Sequence, residues 1–371
     1  WRSGLVALAL VLMSVGGGHA QSPLTATLTG TVTDSTSGDP LPGVHVFIAG
    51  STLGTTTGDD GRYRLTGVPP GRQRLYVSML GFAAATVDTL LRARRAYAID
   101  VRLRPTVLES EGVTVEAERD DDWAKRLQTF KRLFIGRSAF ADHCILTNPE
   151  VLRFEDGWFK PFRAAAAEPL VIKNYALGYR ITYFLEEFTH RGTTTRWDGE
   201  PLFEPLAPKD STEAAKWRAN RQRAYAGSMR HFLRALMDRR VREEGFVIYR
   251  HPPTSDFRSP ARQSPFLASA DRLLDRPSDT SATRLDFSGR LEIAYPEEQE
   301  EPAFLRWQRG FGQAPGPQTS FIELNDPFVT LDPTGEIVEP YGATVYGYFA
   351  FERLASQVPQ DYTPPPQRAP R

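Results

Sequence analysis

Six side chains between residues 217 and 231 have the types from which a site is built: Trp217, Asn220, Arg221, Tyr225, Ser228 and His231. Trp217, Arg221, Ala224, Ser228, His231 and Ala235 recur at spacings of four, three, four, three and four, which places them on one face of a helix. A face mixing an indole, a guanidinium, a hydroxyl and an imidazole fits a polar binding surface that opens on a pocket. It also fits a closed network answered by carboxylates such as Glu186 or Glu187, since buried polar groups need partners in either case. Nothing else in the sequence converges on the stripe, so the closed network is the preferred reading.

Other chemistry is excluded by spacing. The six histidines, His19, His45, His143, His190, His231 and His251, include no H-x-x-E, no H-E-x-x-H and no Cys/His pair at metal-ligand spacing. Gly136-Arg137-Ser138 and Gly227-Ser228 lack the G-x-S-x-G nucleophile turn. There is no phosphate-binding loop and no dinucleotide fingerprint. Asp59-Asp60-Gly61 is followed by no twelve-residue calcium loop and reads as a β-turn. The expectation is therefore no catalytic residue, no metal ligand and no cofactor.

The element that must carry the stripe is the longest helical signal, Ser211 to Glu244. Asp210 and Glu213 resemble a capping box and Gly245 fits a C-terminal stop. Gly227 costs about 1 kcal/mol relative to Ala inside a helix, so a kink or break belongs there. Lys216, Arg218, Arg221, Arg223, Arg230, Arg234, Arg239, Arg240 and Arg242 face only Asp238 within residues 216–242. Such a surface could meet a polyanion, but a solvated face paired with neighbouring acids is preferred. Around it, Trp123 to Ile135 reads as an amphipathic helix stopped by Gly136. Val151 to Phe162 and Leu170 to Phe188 read as strands, the second with Tyr179, Ile181, Tyr183 and Leu185 on one face. Asp198-Gly199 reads as the hairpin turn of Arg196 to Leu206. His251 to Arg284 is Pro- and Ser-rich, with a short helix expected near Phe266 to Leu274. Leu285 to Tyr295, Ser320 to Leu324 and Phe328 to Leu331 are expected strands. Glu297 to Glu301 is an expected exposed turn, and VYGYFAFERL, Val345 to Leu354, an expected aromatic core. Residues 123–360 thus read as an α+β domain with an antiparallel sheet and two or three helices.

The first hundred residues read differently. Leu28, Gly30 and Val32 alternate with threonines; Val44, Val46 and Ile48 alternate with His45 and Phe47; Leu75, Val77 and Met79 alternate with Tyr76 and Ser78; Ile99, Val101 and Leu103 follow suit. Period-two alternation marks strands with one face buried, and Gly- and Pro-bearing turns separate them. The ordered string carried by Gly30, Val32, Asp34, Gly38, Pro40 to Val44, Gly50, Gly54, Thr55, Thr57, Gly61 to Tyr63, Val68 to Gly71, Ser78, Gly81 and Phe82 resembles the carboxypeptidase-regulatory-like domain. The resemblance implies a seven-stranded, transthyretin-like β-sandwich over residues 24–104 that accompanies another domain and carries no catalytic residue. Leu108, Glu111, Val113, Val115 and Ala117, in the strand and acidic linker expected over 105–122, are similar to a segment that follows this module in TonB-dependent outer-membrane transporters. A chain of 371 residues is too short for the plug and large barrel of such a transporter, so only the envelope address carries over. PLVI-x-N-x-x-LGY, NR-x-x-AY-x-GS-x-RHFLRAL and YGYFAFERL resemble exported proteins that pair the same sandwich with a domain of unassigned role.

Arg2, the apolar run Leu5 to Val15 and Gly18-His19-Ala20 make residues 1–20 an expected signal peptide, too short in its apolar part for a transmembrane helix. Forty-five basic and forty-five acidic side chains cancel, so there is no global pull toward nucleic acid. Cys144 is the single cysteine and is expected to be a small buried hydrophobe. Residues 361–371 are Pro-rich and expected to be disordered. The functional expectation is a non-enzymatic exported protein of the periplasm or outer-membrane surface, with an envelope protein or glycan as partner, no nucleic acid and no transmembrane span in the mature chain. The alternative is an envelope hydrolase acting on peptide or glycan, with its site in the 170–240 region.

Overall fold

The structure, a computed structural model, describes residues 25–106, 121–157, 159–253, 266–276, 283–308, 314–339 and 341–365. The expected signal peptide, most of the acidic linker and the end of the Pro-rich tail lie outside these residues. The described chain is mostly β, in several sheets with five α-helices rather than one sheet with two or three.

Nine strands build the N-terminal sandwich: β1 (Ala26–Asp34), β2 (His45–Ile48), β3 (Gly54–Thr56), β4 (Arg62–Val68), β5 (Gly71–Ser78), β6 (Phe82–Ala83), β7 (Ala85–Leu91), β8 (Ala96–Ala98) and β9 (Val101–Pro105). One sheet runs β4-β1-β9-β6 with β8 also beside β1; the other runs β3-β2-β5-β7. Leu28, Val32, Leu65 and Leu103 from the first sheet meet Val46, Ile48, Leu75 and Val77 from the second in one core. Gly30 is required by close approach: a Cβ there would lie 1.9 Å from the Ile99 carbonyl oxygen. The alternation in β2 and β5 is incomplete, because Phe47 and Tyr76, on the opposite face from Val46 and Leu75, are buried too.

What buries them is the next layer. α1 (Asp121–Phe134) is followed by β10 (Cys144–Leu146), β11 (Leu152–Gly157), β12 (Lys160–Ala166), β13 (Leu170–Asn174), β14 (Tyr179–Arg191) and β15 (Thr194–Pro205). These strands form a six-stranded antiparallel sheet around β14. β15 flanks β14 along its whole length, while β13 and β12 share its other edge. Three expectations are corrected here. The segment 170–188 is not one strand, since β13 ends at Asn174 and the chain turns back into β14. The segment 151–162 is not one strand, since β11 turns back into β12. Asp198-Gly199 is not the hairpin turn: that turn is at Gly192, φ +60°, and Asp198-Gly199 sits in mid-strand opposite a bulge between Leu185 and Glu187. Phe184, on β14, stacks on Phe47 at 5.0 Å and packs on Tyr76 at 5.5 Å, joining the sandwich to this sheet.

α2 (Ser211–Tyr225) and α3 (Met229–Met237) replace the single long helix. Gly227, at φ +72°, breaks it, and the chain leaves helical geometry at Met237 rather than at Glu244. The break has a packing reason. Ala224 and Tyr225 of α2 join a core with Phe130 and Phe134 of α1 and the six-stranded sheet. Phe232, Leu233 and Leu236 of α3 join a second core. After α3 come β16 (Val247–His251), β17 (Phe266–Leu267), β18 (Leu274–Asp275), β19 (Thr283–Leu285), β20 (Arg290–Gln299), α4 (Pro302–Gln308), β21 (Pro317–Leu324), β22 (Val329–Leu331), β23 (Ala343–Gly347) and α5 (Tyr348–Phe351). The second core draws on most of these strands and on Phe349, while Phe304 and Leu305 of α4 pack with Tyr348 and Phe351 in a separate cluster. The main sheet there is β17-β16-β20-β21-β23, with a smaller β18-β19-β22. The expected helix at 266–274 is instead two short strands and a 3-10 turn. The acidic run is not an exposed turn: β20 continues through it and Glu300 is buried. VYGYFAFERL is core as expected, with Tyr348, Phe349, Phe351 and Leu354 buried.

Of the tail expected to be disordered, residues 361–365 are described, and the chain at 360–361 is tied to the sandwich. The Gln360 amide donates to the Gly50 carbonyl at 2.7 Å, the Thr52 amide donates to Asp361 Oδ1 at 3.0 Å, and the Thr52 hydroxyl donates to Asp361 Oδ2.

Candidate functional site

The six stripe residues do not share a face, because the break at Gly227 divides them. Trp217, Asn220 and Arg221 lie on α2 and all turn to the loop between β13 and β14. Trp217 Nε1 donates to the Tyr175 carbonyl at 2.9 Å and Asn220 Nδ2 to the Ala176 carbonyl at 2.8 Å. The Arg221 guanidinium donates to the carbonyls of Leu177 and Gly178 at 2.7 and 3.0 Å and lies 4.0 Å over the Tyr179 ring. Four consecutive carbonyls are thus satisfied by three side chains. Gly178, at φ +69°, is what lets the loop pass beneath Trp217: a Cβ would come within 2.3 Å of the indole.

Tyr225, Ser228 and His231 form a second group at the break. Ser228 caps α3, accepting from the His231 amide at 3.2 Å while its hydroxyl donates to the Tyr225 carbonyl at 2.7 Å. The His231 ring accepts the Gly227 amide at Nδ1, 3.1 Å, so its proton sits on Nε2, which faces Glu244 Oε2 at 3.3 Å. The ring is buried against Tyr225 at 4.9 Å and Phe246 at 4.8 Å. Burial lowers its pKa, and Glu244 offsets part of that effect. A nucleophile–base pair needs the serine hydroxyl on a ring nitrogen. Here the Ser228 hydroxyl donates to a main-chain carbonyl, and the ring nitrogens of His231 are taken by the Gly227 amide and Glu244. The partners proposed from sequence, Glu186 and Glu187, accept instead from the hydroxyls of Tyr76 and Tyr341, each at 2.9 Å. Four more basic residues of this region are engaged: Arg230 with Glu336 at 2.6 Å, Arg240 with Glu243 and Glu244, Arg239 with Asp271, and Arg223 over Phe140. Cys144 is buried and free, its thiol pushed up to about 12 by burial.

A more enclosed opening lies elsewhere. A cavity of about 410 Å³ is enclosed by the β5 side of the sandwich, the middle of β15, the start of α3 and the segment that follows α5. Gly50 and Arg74 line it from the sandwich; Trp197, Glu200, Glu352 and Arg353 line it from the later elements. Arg74 bridges Asp88 at 3.0 Å and Glu200 at 3.6 Å. Burial raises the Glu200 carboxyl to about 7, against the opposing effect of Arg74. The Arg353 guanidinium lies 4.7 Å over the Trp197 ring, and burial lowers its pKa to about 10. Of the six stripe residues only Ser228 reaches this cavity. Among the described residues, no cluster of three or more His, Cys, Asp or Glu side chains could hold a metal ion.

Comparison with known proteins bears on the sandwich. Residues 27–104 match the carboxypeptidase regulatory-like domain. A TonB-dependent receptor of Formosa agariphila is 34% identical over 116 residues, 30% of this chain and 10% of the receptor. The chain therefore spans about a tenth of the length of that relative. Among solved structures, a cohesin–X-dockerin complex of Acetivibrio cellulolyticus is 16% identical over 20% of this chain and 52% of its own, with a TM-score of 0.19. Catechol 1,2-dioxygenase of an Acinetobacter species is 16% identical over 24% of this chain and 55% of its own, with a TM-score of 0.20. The C-terminal domain of the shaft pilin SpaA of Lactobacillus rhamnosus is 14% identical over 22% of this chain and 98% of its own, with a TM-score of 0.18. No helix among the described residues is long and apolar enough to cross a membrane. Residues 27–104, whose two sheets close over one core and whose Gly, Pro and Thr positions follow the family pattern, form a carboxypeptidase regulatory-like domain.

Proposed function

We propose that the chain is a non-enzymatic cell-envelope protein in which a transthyretin-like accessory sandwich, docked on its neighbour, supports a binding or scaffold region. The seven strands of that module are taken as β1 to β5, β7 and β9, with β6 and β8 as short additions. The observation that carries the reading is the use of the polar stripe. Trp217, Asn220 and Arg221 tie down one loop, and Ser228 and His231 tie down one helix break. Their donors and acceptors serve the fold, which is what a scaffold requires and a hydrolase does not. The regulatory-like domain supplies no catalytic residue to the assembly. The similarity to a TonB-dependent receptor over 30% of the chain supports the envelope address, and with it export.

Two measurements test this. The full chain, incubated with fluorescent peptides and with peptidoglycan fragments, is expected to leave both intact; cleavage that disappears in Ser228→Ala or Glu200→Gln would establish the hydrolase instead. Fractionation of expressing cells is expected to recover the protein with the envelope, and recovery in the cytosol removes the address.

A further inference from the structure

One half-buried guanidinium in the interdomain cavity is unanswered; Arg72, also on its wall, is exposed to solvent. Arg74 and Arg230, which also line it, are both engaged: Arg74 by Asp88 and Glu200, Arg230 by Glu336 at 2.6 Å and by the carbonyls of Val358 and Pro359 at 2.6 and 2.9 Å. Arg353 has only its stacking on Trp197. Among the described residues no carboxylate pairs with it and no oxygen accepts from it. A guanidinium carries five N–H donors in a planar fork, and those of half-buried Arg353 remain open to the cavity with no protein acceptor. Packing accounts for the indole contact but leaves the donors without a use. The adjacent Glu352 does not supply the missing partner. Burial, then Glu298 and Glu301, hold its carboxyl well above the usual carboxylate range.

We propose that this cavity binds a small molecule bearing a carboxylate, which the Arg353 fork receives while Trp197 holds the guanidinium plane in place. Arg matches a carboxylate in two parallel hydrogen bonds, and stacking on an aromatic face orders the fork beforehand. A volume of about 410 Å³ lies within the range of small-molecule sites. The walls give selectivity: Glu200 and Glu352 disfavour a second negative charge and offer hydrogen bonds to hydroxyl or amide groups. Because Gly50 and Arg74 come from the sandwich and Trp197 and Arg353 from the later sheet and segment, a bound ligand also fastens the two together. The proposal stands whether or not the protein resides in the envelope.

Two sources offer this chemistry, an acidic sugar and the C-terminus of a short peptide. Calorimetric titration of the full chain at pH 7 with glucuronate against glucose, and with alanyl-alanine against its C-terminal amide, separates them. At least one acid is expected to bind at least tenfold more tightly than its neutral counterpart, and the pair that discriminates names the source. Arg353→Met, which keeps much of the stem and removes the fork, is expected to abolish that preference while the ligand-free Tm holds or rises. Arg353→Lys, which keeps the charge without the fork, is expected to fold normally and weaken binding. The idea is overturned if neither acid outbinds its neutral counterpart. It is also overturned if Arg353→Met retains the preference, or if Arg353→Met lowers the ligand-free Tm and Arg353→Lys restores it with binding unaltered.

Discussion

Glu200 sits in the cavity wall, where burial disfavours its ionisation. Its carboxyl titrates near 7 in the folded protein against an ordinary 4.5, burial being the larger cause. The folded chain therefore holds a proton that the unfolded chain has released between these values. Stability falls as pH rises through that window, by about 3 kcal/mol at most, and does not fall further from this group above it. Glu200→Gln removes the titration. Thermal melts from pH 4 to 8 are expected to show a flatter curve for the variant, and a higher Tm than wild type at pH 8. Arg221 makes the opposite case, a polar side chain whose loss is felt in the fold. Arg221→Ala leaves the Leu177 carbonyl without its donor and the Gly178 carbonyl with the Leu206 amide alone, and is expected to cost about 1–3 kcal/mol in denaturant unfolding, with no change in ligand binding. The stripe was legible in sequence because its side chains are rare and regularly spaced. Their roles were not, because the acceptors are main-chain carbonyls, which every residue carries. Arg353 was hidden for a related reason: it lies in an aromatic run that reads as core, and its meaning depends on Trp197, more than 150 residues earlier.

At the scale of elements, Gly227 decides where two cores separate. Its φ of +72° suits glycine, and a Cβ would meet Gln318 Oε1 and the Tyr295 ring, each at 2.7 Å. Gly227→Ala is expected to destabilise by about 1–3 kcal/mol from the backbone alone, measured by chemical unfolding, with the contacts adding to that. The sequence marks the break through glycine's poor helix propensity, but a helix that ends at Met237 instead of Glu244 is a tertiary outcome: Val241 and Phe246 turn into the second core. Strand periods were read correctly where one face met solvent. They misled in β2 and β5, whose second face is covered by Phe184, and at Asp198-Gly199, where a turn-like pair serves a bulge because Gly192 had already closed the hairpin.

At the scale of the molecule, the join between the sandwich and the six-stranded sheet rests on Phe47, Tyr76 and Phe184, with Leu202 beside them. Phe184→Ala is expected to remove about 3–5 kcal/mol from that join. Scanning calorimetry is expected to resolve a separate transition for the sandwich in the variant, where wild type melts with the two coupled; an unchanged single transition would show that the join contributes little. The family pattern in residues 27–104 announced the module but could not announce this contact, since Phe184 belongs to a region with its own packing rules. The second fastening is the segment at 360–361, which hydrogen-bonds to Gly50 and Thr52. Thr52 and Asp361 stand 309 positions apart. A ribosome adding roughly 5–20 residues per second needs on the order of 15–60 s to span that interval. For all of that time the newborn module has its internal sheets but not its clasp, so a chaperone meets it loose, and this fastening forms only once Gln360 and Asp361 have been made.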